Sequence, residues 1–139
     1  MKCCKVCGSM NNIEEHHIIK RSQAKFLVNC ELNKVYLCPT HHRSEYGVHG
    51  RNGHNLDNKL KMQMQNTLEI ILDKQYYTRQ EVKTILGINE NSANSLCKTM
   101  KQNKGLFARQ DFIIATLGGK LAYESEELNE RDLEIYRRI

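Results

Sequence analysis

The sequence is poor in the residues that build a large hydrophobic core. Its 139 residues include no tryptophan, three phenylalanines and one proline, and hydrophobic residues make up only 40% of the chain. A chain of this size with so few large apolar side chains buries little apolar surface on folding, and this burial offsets only part of the conformational entropy that folding removes. We therefore expect small folded units, in which a bound metal ion would compensate for a small core.

Two further absences concern location. No apolar run approaches the roughly 20 residues that a membrane-spanning helix requires. The opening stretch MKCCKVCGSM contains no apolar segment of signal-peptide length. We therefore expect a cytoplasmic protein with no membrane association. Cysteines stay mostly reduced in that compartment, so a C-x-x-C spacing indicates metal binding or redox chemistry before it indicates a disulfide.

Charge is distributed unevenly along the chain. Residues 1–123 contain 18 Lys or Arg against 10 Asp or Glu, a net charge of +8. Residues 124–139 contain 3 against 6, a net charge of −3. A basic body with an acidic tail suits a polyanionic partner, and nucleic acid is the partner we expect.

The first third of the chain has the pattern of a small ββα unit. Every histidine and all cysteines but one lie in the first 54 residues. The stretch CCKVCG (3–8) is typical of a metal-binding turn, and 12–19 and 33–38 have strand length and composition. Pro39 favours a helix start, so a helix is predicted over 40–46.

The remainder of the chain shows helical patterns. Leu and Met recur at helical spacing over 56–72, and Thr78 and Glu81 form a capping box at the start of a short helix. The residues Leu-Gly-Ile-Asn (86–89) connect this short helix to a second helix that ends near Met100. Two short helices joined in this way give the segment 78–102 the proportions of a helix-turn-helix. A further helix is predicted at 109–117, and an acidic helical tail at 124–139.

The predicted fold class is α+β, mostly α, with a small metal-stabilised ββα unit followed by a helical region. The predicted domains are 1–54, 55–123 and the tail 124–139. Two alternatives stay open. The pair of short helices is either a DNA-binding helix-turn-helix or an ordinary helical hairpin. The apolar stripe of 56–72 is most simply core, with a homodimer interface as the alternative.

Two pairs of metal-ligating residues bracket the ββα unit. Cys4 and Cys7 share a C-x-x-C spacing, and Cys38 and His41 share the same two-residue gap. Three thiolates and one imidazole form a closed ligand set for tetrahedral zinc, so we predict a structural zinc ion. The alternatives are free, buried cysteines, or a redox role for the C-x-x-C pair. No βαβ pattern surrounds that pair, which argues against the redox role.

The adjacent histidines His16 and His17 are predicted to have two different chemical roles. Neighbouring residues on a strand point to opposite faces, so the two imidazoles cannot ligate one ion with equal ease. We expect one to bind a metal ion and the other to transfer a proton. A surface pair without function is the alternative for these residues taken singly.

Two stretches of the sequence, EEHHIIKRS and LNKVYLCPTHHRSEYGVHG, resemble the HNH nuclease motif. The resemblance is to the zinc-bracketed form common among phage and prophage endonucleases, and it covers residues 4–54. An acidic residue followed by His-His-Ile-Ile, an Asn five residues before a Cys, and Cys-x-x-His-His all occur in the order of that motif.

The resemblance implies roles for particular residues. His17 matches the general base that deprotonates the attacking water, a task suited to an imidazole at cellular pH. Asn33 matches the residue that orients this base. His16 and His42 match ligands of a catalytic divalent ion, Mg²⁺ or Mn²⁺, which would stabilise charge on the phosphate. Arg43 is placed to hold a phosphate with its guanidinium.

One position departs from the family pattern. Many members have a further His or Asn four residues after His42, where this chain has Tyr46. His49 either completes the metal site or only contacts phosphate, and we expect His54 to lie on the surface. The further residues that we expect to contact DNA are Lys20, Arg21, Arg51, Asn91, Ser92, Asn94, Ser95 and Lys98.

These observations predict a metal-dependent DNA endonuclease encoded by a phage or prophage. The alternative is a non-catalytic, zinc-containing DNA-binding regulator with a helix-turn-helix. That alternative shares the zinc and the charge but does not require His16, His17 and His42 together.

Overall fold

The computed structural model describes residues 2–122, and the predicted tail helix at 124–139 lies outside them. The described chain is a small α+β structure with two antiparallel sheets of two strands each, so the α+β class is confirmed. Its strands and α-helices are, in chain order, β1 (Glu14–His17), β2 (Lys34–Leu37), α1 (Pro39–Arg43), α2 (His54–Ile71), β3 (Tyr76–Thr78), α3 (Arg79–Leu86), α4 (Glu90–Cys97), β4 (Leu106–Ala108) and α5 (Arg109–Thr116).

The described residues divide into two compact units. The first contains 2–18 and 34–62, and the second contains 19–33 and 63–122. The boundary predicted between 54 and 55 falls at the start of α2, a helix that contributes residues to both units.

The first unit is built on the antiparallel pair β1–β2. His16 lies opposite Val35 in the ladder, and Glu14 lies opposite Leu37. Val35 and Leu37, two residues apart on β2, are buried on one face. Helix α1 begins at Pro39 and lies against both strands, so strand, strand and helix occur in the predicted order.

Helix α1 ends earlier than predicted because the chain folds into tight turns after Arg43. The backbone N–H of Val48 donates to the carbonyl of His41 (2.9 Å), and that of His49 donates to the carbonyl of His42 (3.0 Å). At Gly50 an added Cβ would lie 1.8 Å from the carbonyl oxygen of Ser44. The turn is therefore closed by backbone contacts that only glycine permits at this position.

The apolar stripe of α2 is buried, as the core interpretation predicted. Its members are at most 4% exposed: Leu56, Leu60, Met64, Leu68 and Leu72. In the second unit the rings of Tyr77 and Phe112 meet edge to face, with centroids 5.4 Å apart. A homodimer through 56–72 stays a prediction, and it would have to use the other side of the helix, where Ile70 is 79% exposed.

The second unit contains the predicted pair of short helices. The capping box at the start of α3 is confirmed, because the Thr78 hydroxyl accepts from the Glu81 backbone while the Glu81 carboxylate accepts from that of Thr78. Gly87 ends the helix in the left-handed conformation, with φ of 62°. Asn89 then caps α4, its side chain accepting a hydrogen bond from the backbone of Ser92. Helices α3 and α4 lie against each other.

The short sheet β3–β4 was not predicted. Its strands have three residues each, with Tyr77 paired to Phe107. The strands flank the two helices in sequence, so the sheet joins the start of α3 to the chain that follows α4. Among residues 2–122, no helix has the length and apolar character needed to cross a membrane.

Candidate metal centres

Four side chains predicted to bind zinc converge in the first unit. The potential ligand atoms of Cys4, Cys7, Cys38 and His41 all lie within 4.8 Å of one another. The sulfurs of Cys7 and Cys38 are 3.8 Å apart. Nδ1 of His41 lies 3.2 Å from the Cys38 sulfur and 3.5 Å from the Cys4 sulfur. The two pairs that bracket the ββα sequence therefore meet in space.

These distances fit the edges of a zinc tetrahedron. With Zn–S bonds of about 2.3 Å and Zn–N bonds of about 2.0 Å, two sulfurs are separated by about 3.8 Å, and a sulfur and a nitrogen by about 3.5 Å. The separations in the chain are 3.8, 3.5 and 3.2 Å. The four residues can thus hold a metal ion such as zinc.

The environment of Cys4 favours the thiolate that a metal requires. Burial raises the pKa of the Cys4 thiol, but backbone hydrogen bonds from Cys38, Cys7 and Val6 outweigh it and lower the pKa to about 6. The turn that begins at Cys4 supplies two of these donors, and Gly8 closes it with a backbone hydrogen bond to the Cys4 carbonyl (2.9 Å). Cys4 is therefore largely deprotonated at neutral pH.

A second group of potential ligands consists of three histidines. His16 comes from β1, His42 from α1 and His49 from the turns after α1, and their ligand nitrogens lie within 4.8 Å of one another. The ring centroids are 4.7 to 5.3 Å apart. The hydrogen bond from the His49 backbone to the His42 carbonyl holds the third imidazole beside the second. This three-histidine cluster can also hold a metal ion.

The burial of His16 is consistent with a ligand role. The residue is 4% exposed, and its Nε2 atom has no hydrogen-bond partner among the described residues. Burial lowers the pKa of His16 to about 4, with His49 and His42 contributing in the same direction. The imidazole therefore stays neutral at physiological pH and presents a lone pair inside the cluster.

His42 is oriented by a residue that the sequence interpretation did not single out. Its Nδ1 atom lies 3.0 Å from Oε1 of Glu14, and Arg43 donates to the other oxygen of the same carboxylate (2.9 Å). The hydrogen bond with His42, assisted by Arg43, lowers the pKa of Glu14. Glu14 lies two residues before His16, so strand alternation places both on one face of β1. That spacing was the available signal.

His17 and Asn33 lie outside the three-histidine cluster. His17 is the half-buried last residue of β1, opposite Lys34, and is not one of the three potential ligands of the cluster. Asn33 is fully buried. Its amide oxygen accepts from the backbone of Ile19 (2.6 Å), and its amide nitrogen donates to the carbonyls of Ile19 and Leu27 (3.1 and 3.2 Å). Asn33 thus closes the loop that connects β1 to β2.

The residues predicted to contact DNA are mostly exposed. In the segments around the ββα elements, Lys20, Arg21, Arg43 and Arg51 are all on the surface. On α4, Asn91, Asn94 and Ser95 are exposed and Ser92 is half-buried, and Lys98 at the C-cap is exposed. His54 is exposed at the first position of α2, as expected.

No protein-family model, curated protein or solved structure matches this chain.

Proposed function

We propose that this protein is a metal-dependent DNA endonuclease of the HNH type, with a structural zinc ion at the four Cys and His residues. The observation that carries the proposal is the three-histidine cluster, which contains a buried, unpartnered nitrogen and an imidazole oriented by a carboxylate. A core histidine with a purely structural role would have its ring nitrogens satisfied, because an unpaired buried polar atom is costly. A ligand nitrogen avoids that cost by binding a metal ion.

The donor set constrains which ion fits. Imidazole nitrogens suit divalent transition ions, whereas Mg²⁺ prefers oxygen ligands and keeps several waters. Three imidazoles therefore fit Mn²⁺ better than Mg²⁺, which would rely on water and phosphate oxygens for its remaining positions. A divalent ion held there supplies Lewis-acid stabilisation of charge on the scissile phosphate and on the leaving oxygen.

In this proposal His17 is the general base. His16 is unsuited to that task, because its nitrogen is buried among the other imidazoles and its pKa is lowered to about 4. His17 lies next to it at the end of β1 and is half-buried. Its imidazole accepts the proton of the attacking water. Asn33, the residue that precedes β2, is held by hydrogen bonds to the backbone of Ile19 and Leu27 and so supports the strand opposite His17.

Arg43 contributes a contact to the phosphate in this proposal. Its side chain is 63% exposed although it is bonded to Glu14. A guanidinium has five N–H donors, so pairing with one carboxylate oxygen leaves others for a phosphate. The net charge of +8 over residues 1–123 supports a polyanionic substrate.

A plasmid-nicking assay tests the proposal. Supercoiled plasmid is incubated with protein and Mn²⁺, Mg²⁺ or EDTA, and His17→Ala is purified in parallel, with the exposed His54→Ala as a matched control. We expect cleavage with Mn²⁺, slower cleavage with Mg²⁺ and none with EDTA. His17→Ala should lose activity by roughly a hundredfold or more while keeping its zinc, and His54→Ala should cleave like wild type. Equal cleavage by His17→Ala and wild type would refute the assignment of the base.

The second candidate function is a zinc-containing DNA-binding regulator without catalysis. The helix pair α3–α4 favours it, since that surface needs no catalytic site. DNA binding with no cleavage under any divalent ion would support this candidate. It leaves the three-histidine cluster without a role, which is why the nuclease is preferred.

A further inference from the structure

The segment 76–108 of the second unit has a surface dominated by positive charge. It contains five Lys or Arg against two Glu, a net charge of +3. Both glutamates are already paired. Glu81 belongs to the capping box of α3 and bonds to Lys74, and Glu90 is paired with Arg79 and Lys83. The negative charge of this segment is therefore neutralised locally.

Three other lysines of the segment remain available to a partner. Lys98, Lys101 and Lys104 are exposed, and none forms an ion pair with another residue of the range 2–122. Lys98 caps the C-terminus of α4, and Lys101 and Lys104 lie on the chain that follows it. The positive charge is thus concentrated at one end of the helix pair.

The outer face of α4 carries short polar side chains. Asn91, Asn94 and Ser95 are exposed, while Ala93 and Leu96 are buried on the opposite face. The side chains of asparagine and serine both donate and accept hydrogen bonds. Both side chains are short, so a partner can come close to the helix backbone. A helix with this face can approach base edges closely.

A tight hairpin precedes β4 and presents a lysine at its tip. Asn103 and Leu106 exchange backbone hydrogen bonds of 2.9 and 3.0 Å. The two residues between them have positive φ, 54° at Lys104 and 80° at Gly105. This is the pattern of a two-residue hairpin turn that favours Asn or Gly at both central positions. Lysine is disfavoured there, so this cation occupies a position where asparagine would be more stable.

We propose that residues 76–108 bind duplex DNA, with α4 in the major groove and Lys104 of the hairpin tip against the neighbouring sugar-phosphate backbone. A cleft of about 610 Å³ supports this arrangement, because Arg79, Asn94 and Lys98 line it together with Gly105 of the hairpin. The major groove admits an α-helix, and lysines beside it supply phosphate contacts. The inference deepens the proposed function and rests on it only for the choice of DNA as the polyanion.

Binding can be tested without cleavage. The full chain carrying His17→Ala is titrated, without added divalent ion, into a fluorescein-labelled duplex of random sequence, and anisotropy is recorded over a series of salt concentrations. The test variants in this background are Lys98→Ala and Lys104→Asn. The matched control is Lys120→Ala, which removes an exposed lysine outside 76–108.

We expect each test variant to weaken binding roughly three- to tenfold at low salt and to reduce the salt-dependence exponent by about one. Lys120→Ala should change affinity less than about twofold. Lys104→Asn should melt at the same temperature as the parent or higher, because asparagine tolerates the left-handed backbone. A weakened affinity in that variant therefore cannot be attributed to unfolding.

Competition identifies the polyanion. Unlabelled duplex DNA should displace the probe better than single-stranded DNA or duplex RNA, because the deep, narrow major groove of A-form RNA excludes a helix. The inference would be overturned if duplex RNA displaced the labelled duplex as well as unlabelled DNA does. It would also be overturned if Lys98→Ala and Lys104→Asn bound DNA with the same affinity as Lys120→Ala. Absence of cleavage in the plasmid assay would not affect these results, so failure of the nuclease proposal and failure of this one can be told apart.

Discussion

Nδ1 of His42 lies 3.0 Å from Oε1 of Glu14, and Arg43 bonds to the second oxygen of the same carboxylate. One nitrogen of the imidazole is thus occupied, which leaves Nε2 as the nitrogen of His42 that can bind a metal ion. A carboxylate on the far nitrogen fixes the ring orientation and raises the basicity of a metal ligand. Glu14 of β1 therefore orients the imidazole of His42 on α1.

Replacing that carboxylate should weaken the second metal centre selectively. We expect Glu14→Gln to reduce Mn²⁺ affinity by roughly ten- to a hundredfold, the usual effect of losing the partner of a ligating histidine. Zinc content should not change. Glu15→Gln is the matched control, since Glu15 lies on the other face of β1 near Tyr36 and Lys34. Mn²⁺ titration by calorimetry measures both variants, and equal affinities would exclude the orienting role of Glu14.

Loss of a thiolate should remove the structural ion. Cys38→Ser is expected to abolish stoichiometric zinc and to leave the first unit unfolded or aggregated, because binding and folding free energies are linked at such a site. Cys3→Ser is the control, since Cys3 is exposed and lies outside the four-residue set. Elemental analysis measures the zinc content of both variants, and thermal melting measures their stability. A Cys38→Ser protein with wild-type zinc and melting would show that the four residues do not bind zinc.

The turn that carries His49 should be sensitive to a single methyl group. In Gly50→Ala the added Cβ would meet the carbonyl oxygens of Ser44 and Glu45 at 1.8 and 2.4 Å, so the turn must open. We expect a loss of about 1–3 kcal/mol in the free energy of unfolding, typical of overpacking, and weaker Mn²⁺ binding with zinc retained. Val48→Ala shortens a side chain in the same turn and serves as control. Unchanged Mn²⁺ affinity in Gly50→Ala would mean that the turn does not position His49.

Acid should destabilise the protein through His16. Its pKa is lowered from 6.5 to about 4 by burial and by the neighbouring imidazoles. As the pH falls below 6.5, His16 takes up a proton in the unfolded chain but stays neutral in the folded chain. The contribution of His16 to the free energy of unfolding is therefore fully present above pH 6.5 and decreases as the pH falls toward 4. One proton gives at most about 1.4 kcal/mol per pH unit.

The comparison that isolates this proton is with His16→Leu. Denaturant unfolding at about pH 7.5 and about pH 5 should show a larger loss of unfolding free energy in the wild type than in the variant. Both proteins retain the zinc ligands, so acid release of zinc affects them alike. Parallel losses in the two proteins would contradict the assignment of this pH dependence to His16.

Sequence reasoning succeeded where the determinants are local. The capping box of Thr78 and Glu81, the buried stripe of α2 and the paired gaps at the zinc ligands are each set by residues a few positions apart. It missed the strands β3 and β4, because three residues carry almost no periodicity and because both helices, α3 and α4, lie between the two strands in sequence. The role of Glu14 was missed for a related reason, since its partner His42 lies 28 residues away.

The sequence left two roles open for His49, a metal ligand or a phosphate contact, and could not decide between them. The spacing of the motif placed a ligand at the position occupied by Tyr46, and nothing local shows that a residue three positions later reaches the cluster. Two backbone hydrogen bonds from the turn to the carbonyls of His41 and His42 bring it there. Those bonds depend on glycines packed against main chain, a tertiary constraint that no periodicity reveals.

The role of His49 can be decided by a metal titration. If its imidazole completes the metal site, His49→Ala should raise the Mn²⁺ concentration for half-maximal cleavage by at least roughly tenfold, because losing a ligand should cost no less than losing the partner of a ligand. Saturating Mn²⁺ should then restore much of the rate, because His16, His17 and His42 are unchanged. His54→Ala removes an exposed imidazole outside the cluster, and its titration curve should superimpose on that of the wild type. If His49 instead grips a phosphate, the variant should show weaker DNA binding with an unaltered metal requirement. An unshifted Mn²⁺ curve for His49→Ala would therefore remove this residue from the metal site and leave His16 and His42 as its only protein ligands within the cluster.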